Sequence, residues 1–85
     1  MARVERSFRG ISERLTVRYL ERLGGELIEE GVVEGAEWSA CFSSETVGIG
    51  PSLTLTEVTI VFEGEDSTLE DLVPAFAKKA MRAGG

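Results

Sequence analysis

Few residues in this 85-residue chain can do chemistry, and they do not fall into an obvious catalytic set. There is no histidine and a single cysteine, Cys41. Ser-His-Asp and Cys-His catalysis are therefore excluded, as is a tetrahedral zinc site of the usual ligands within one chain. Carboxylates, lysines, Tyr19 and Cys41 remain. Cys41 lacks the basic neighbours in sequence that make a thiol reactive, so a small buried hydrophobe is the competing reading. Glu57 is the one charge in the run Ser52 to Phe62. It is either a functional acid on an uncovered sheet face or an exposed, Arg-paired side chain, since a buried unpaired carboxylate is costly. Gly48-x-Gly50-Pro51 has the glycines of a phosphate loop but neither its lysine nor a following helix start, and reads as a hairpin loop. Trp38, Phe42 and Phe76 could line a pocket, but a chain this short needs its six aromatics for a core. The expectation is a non-catalytic protein with no metal and no cofactor.

Charge divides the chain unevenly. Residues 1–22 hold six Arg and three Glu, whereas residues 23–77 hold twelve acids and no base. Lys78, Lys79 and Arg82 follow near the end. The net charge of −6 argues against a nucleic-acid partner, which would need a positive surface. Basic helices could lie on an acidic sheet rim, or the two basic ends could meet as a binding face. Arg14, Arg18 and Arg22, spaced four apart, form one stripe on such a face. No apolar run is long enough to span a membrane, and the N-terminus has no secretory pattern. A single cysteine provides no disulfide framework, which fits a reducing cytoplasm.

The elements that position these residues follow from periodicity. Residues 2–9 read as a strand with Val4 and Phe8 on one face. Ser12 can cap a helix over 11–23 that Gly24-Gly25 ends. Residues 26–34 read as one strand with a bulge at Gly31. In 37–47, Trp38, Ala40 and Phe42 alternate with Ser39, Cys41, Ser43 and Glu45. Residues 52–63 form a long strand, apolar on both sides, which predicts a central position or a face-switching bulge. Ser67 to Glu70 fits a capping box, and Leu69, Leu72, Val73, Phe76, Ala77 and Ala80 form a helical stripe. Pro74 predicts a kink, or a helix that starts only near Leu72.

The order β-α-β-β-β-α predicts a single α+β domain over 1–85, with two helices on one face of a mainly antiparallel sheet. The other face should be open and carry Ser39, Cys41, Ser43, Glu57 and one of Thr54 or Thr56. It is the expected site for a protein partner, with the small-molecule ligand, if any, undefined. Exposed edge strands also predict a homodimer.

The pattern VGIGPSLTLTEVTIVFEGED followed by LEDLVPAFAKKAMRAGG resembles the C-terminal domain of prokaryotic proteins related to MoaD, the small subunit of molybdopterin synthase. The resemblance implies a TATA-binding-protein-like fold, a curved antiparallel sheet with helices on one side. It carries over no catalytic residues, and it implies an accessory or docking role near cofactor sulfuration. The terminal Gly84-Gly85 is also similar to the tail of ubiquitin-like sulfur carriers and modifiers, which thread a slim C-terminus into an activating enzyme. A helix C-cap is the competing reading of those glycines. The aromatic-Pro-Pro segment that precedes the carrier di-glycine is absent here.

Overall fold

A computed structural model describes the backbone of residues 1–84 and the side chains through Arg82. The elements are β1 (Ala2–Arg9), α1 (Glu13–Arg22), β2 (Glu26–Glu29), β3 (Val32–Glu34), β4 (Trp38–Gly48), β5 (Thr54–Gly64) and α2 (Asp66–Gly84). The strands form one antiparallel sheet in the order β1-β5-β4-β3-β2. It is an α+β domain with an unclosed sheet, as expected.

Alternation sets the two faces. Val4 lies opposite Phe62 and Phe62 opposite Ala40, while Phe8 lies opposite Val58. These side chains share the face that both helices cover, because cross-strand partners point the same way. α1 packs on β2, β3 and β4, and α2 packs on β1 and β5 beside α1. Phe76 of α2 is fully buried at their junction. Its ring centroid lies 5.1 Å from Phe8, 5.8 Å from Phe62 and 6.0 Å from Tyr19. One side chain thus ties together β1, β5 and both helices.

Helix α1 starts at the predicted cap. The Ser12 hydroxyl accepts from the Leu15 N–H at 3.1 Å. Buried Thr16 donates its hydroxyl to the Ser12 carbonyl at 2.9 Å, so no polar atom is stranded there. Gly24 ends the helix at φ +100°, a conformation that side chains disfavour.

Three expectations change. Residues 26–34 are two short strands, with Gly31 at φ +81° in the turn between them. The register irregularity lies between Leu27 and Glu29 rather than at Gly31. The second helix begins at Asp66 and runs through Pro74 without stopping, so Ser67 is inside it and is not its cap. Glu70 and Pro74 are both exposed, so water can satisfy the carbonyl that lacks a proline N–H donor. The stripe Leu69, Leu72, Val73, Phe76 and Ala80 is buried and holds both halves of the helix to the sheet. Finally, Thr54 and Thr56 do not lie on the open face. Thr56 pairs with Thr46 and Thr54 with Gly48, in phase with Val58 on the helix side.

β5 is central, and its two apolar sides need no face switch. Both β4 and β5 outrun the helices. From Ser43 to Thr56 every residue but Val47 is exposed, so the hairpin projects as an arm. The Ile49 N–H donates to the Leu53 carbonyl at 2.8 Å, closing the tip around Gly48 to Pro51.

Candidate functional site

The sheet face turned away from the helices is built in rungs. The first crosses all five strands as Arg3, Glu63, Ser39, Glu34 and Glu26. The second runs Glu5, Val61, Cys41, Val32 and Glu29. Ser7, Thr59 and Ser43 make the third, and Arg9, Glu57 and Glu45 the fourth. Val47 and Leu55 then start the arm, which carries exposed Ile49 and Leu53 at its tip. The four residues expected on one open face, Ser39, Cys41, Ser43 and Glu57, do share it.

The charge on this face is one-sided. Counting along the rungs gives seven glutamates (three, two and two on the first, second and fourth) against Arg3 and Arg9. Arg9 is committed, since its Nε donates to the Glu57 carboxylate at 2.8 Å. Glu57 is therefore an Arg-paired carboxylate. The centre is uncharged: Cys41 and Ser43 are exposed, Val32, Val61 and Thr59 half-buried, and Ser7 and Thr59 share a hydroxyl hydrogen bond of 3.1 Å. The face thus has an uncharged floor inside a charged rim.

The arrangement does not gather a reactive set. Cys41 and Glu57 lie two rungs apart, roughly 13 Å along the strands, so no nucleophile–base pair forms between them. A depression of about 380 Å³ between Leu23, Trp38, Thr68, Asp71, Leu72 and Ala75 lies on the helix side and holds one carboxylate and one hydroxyl. Among the described residues no three Cys, Asp or Glu side chains converge to hold a metal ion. No helix among them is long and apolar enough to cross a membrane. Trp38 and Phe76 are core residues, and Phe42 packs against that core.

The Arg stripe is on a different surface. Arg14, Arg18 and Arg22 are all exposed along α1, on the layer opposite the acidic rungs. Among the described residues no helix cation pairs with the acidic sheet face, because the apolar face of the sheet lies between them. Glu13 of α1 instead accepts from the Ser44 hydroxyl. Gly84 closes α2, and Gly85 lies outside the described residues.

Sequence reasoning missed the apolar arm. Leu53 and Leu55 were legible as one side of a strand, but their exposure at 57% and 38% depends on where the helices stop.

The chain is a two-layer α+β protein with one sheet face uncovered. The sequence pattern of the family described as archaeal MoaD-like protein matches residues 4–85, nearly the whole chain. The chain belongs to that family. No curated protein matches it.

Proposed function

We propose that the chain is a non-catalytic accessory module of sulfur-carrier or molybdopterin chemistry in the prokaryotic cytoplasm, docking a protein partner on its open sheet face. One observation carries the reading: both helices cover one face, and the other offers Cys41, Ser43, Thr59 and Val61 inside a rim of glutamates. Membership of the MoaD-like family supplies the chemical setting. The rim favours a partner whose contact surface is basic.

The test is calorimetric titration against purified molybdopterin synthase large subunit and against the purified carrier-activating enzyme of the same organism. One of them should bind. Cys41→Arg and Ser43→Arg should each weaken that binding by about tenfold or more, with the thermal midpoint preserved. Undiminished binding by both variants sinks the proposal.

A second reading, a sulfur carrier or modifier acting through Gly84-Gly85, draws on the family match, which extends through Gly85. Against it, α2 continues to Gly84, and a helical segment does not thread as a slim tail. Incubation with the activating enzyme, ATP and a sulfur donor separates the two. A carrier gains the mass of one oxygen-to-sulfur exchange, and deletion of Gly85 abolishes that gain. An accessory module stays unmodified.

A further inference from the structure

Among the described residues no other element covers the side of the molecule formed by β1 and α2. β5 pairs with β1 along all of Ala2–Arg9, and among the described residues no strand pairs with the other edge of β1. The Gly10 N–H donates to the Thr56 carbonyl at 3.0 Å, which fixes the phase of the ladder. Even-numbered residues of β1 bond to β5, so Arg3, Glu5, Ser7 and Arg9 turn their main-chain donors and acceptors outward. No proline or bulge interrupts that outward row. Beside it, α2 presents a stripe of Pro74, Ala77 and Met81, spaced three and four apart, with Met81 74% exposed. A groove of about 220 Å³ lined by Val4, Arg6, Leu69, Glu70, Val73 and Pro74 joins the two elements.

We propose that a second copy of this chain covers this side, its β1 pairing antiparallel with β1 about a two-fold axis at Val4. The charges of the strand select this register. An axis at Glu5 sets that carboxylate against itself. An axis at Arg6 sets Arg6 against itself and Arg3 against Arg9. An axis at Ser7 sets Glu5 against Arg9, which is already bonded to Glu57. An axis at Val4 sets Arg3 against Glu5 of the second copy twice, and neither side chain has an ion pair among the described residues. The two Arg3–Glu5 positions are also outward-bonding residues, so they exchange about four main-chain hydrogen bonds. Val4 meets its own copy at the close, non-bonded position on the helix side. Because α2 straddles β1 and β5, the two copies of α2 come to lie about 10 Å apart, a packing distance for helices. Their Pro74 and Ala77 stripes and the two grooves then face each other. The product is one continuous sheet of two five-stranded halves, with both open faces on the same side.

Sedimentation velocity of the full chain at concentrations up to about 100 μM tests this. The wild type should dimerise reversibly. Arg3→Glu alone and Glu5→Arg alone each replace two attractive pairs by two repulsive ones, and each should weaken the dimer by about tenfold or more. The double variant Arg3→Glu/Glu5→Arg inverts the pairs and should restore the dimer. So should an equal mixture of the two single variants, a recovery that misfolded chains could not give. A wild type that stays monomeric overturns the proposal and leaves the edge to a strand of another protein. A dimer indifferent to both single variants, or one that the double variant fails to restore, overturns it as well.

Discussion

Replacing Pro74 by alanine should stabilise this protein. A proline in a helix interior costs about 3 kcal/mol relative to alanine, through a missing donor and a clash with the carbonyl four residues back. Here that carbonyl belongs to Glu70, and both residues are exposed, so water already recovers part of the lost hydrogen bond. Proline also restricts the unfolded chain, which offsets about 0.4–1 kcal/mol in the opposite direction. The remainder is a gain of about 1–2.5 kcal/mol. For a domain of this size it raises the thermal midpoint by roughly 5–15 °C. The assay is urea unfolding followed by the fluorescence of Trp38, the one tryptophan, which is 8% exposed against the core. The midpoint should rise with an unchanged denaturant slope. Pro74→Gly provides the control, and should fall about 1 kcal/mol below Pro74→Ala if the position is regular helix. Equal stability of the alanine and glycine variants, or an alanine variant no more stable than the wild type, would refute the account of α2 as one continuous helix carrying an exposed proline.

Two further substitutions probe the core. Phe76→Ala removes the ring that meets Phe8, Phe62 and Tyr19, and should cost about 3–5 kcal/mol in the same unfolding assay. For a domain this small, that is a large share of its stability. Gly35→Ala puts a methyl group into the Trp38 indole, which lies against Gly35. It should cost about 1–3 kcal/mol and shift the Trp38 emission as the ring moves.

The parts of the fold that sequence makes legible are those where one periodicity dominates. Trp38, Ala40 and Phe42 alternate with Ser39, Cys41 and Ser43, and the structure places the first set against the helices and the second on the open face. Ser12 is readable because a cap is a local interaction between neighbours in sequence. The split of 26–34 was not readable. Four and three residues are too few for alternation to register, and Gly31 fits a bulge as well as a turn. The start of α2 at Asp66 rather than near Leu72 was not readable, because the local penalty of Pro74 is outweighed by five buried side chains of the same helix, which is a tertiary fact. The faces of Thr54 and Thr56 follow from phase with Val58, but their exposure follows from where the helices end. The open-face candidates were found as a set because period two is preserved along β4. Of the glutamate rim, Glu45 on β4 and Glu57 were read with them, but Glu5, Glu26, Glu29, Glu34 and Glu63 were not, because they come from four other strands whose register no single segment encodes.

The projecting hairpin has a consequence for how this protein can change. Beyond the Ser44–Val58 pair the β4–β5 ladder carries no core side chain, so its length there is not set by packing. Lengthening each strand by two residues would raise the tip by about 6.8 Å and keep Val47 and Leu55 on their present side. Lengthening each by one would turn the new tip over, presenting its apolar side where the threonines now lie. Insertions and deletions in the arm are thus quantised by parity. Even steps adjust reach while preserving orientation, and odd steps exchange one contact surface for another, with the folded body beneath left as it was.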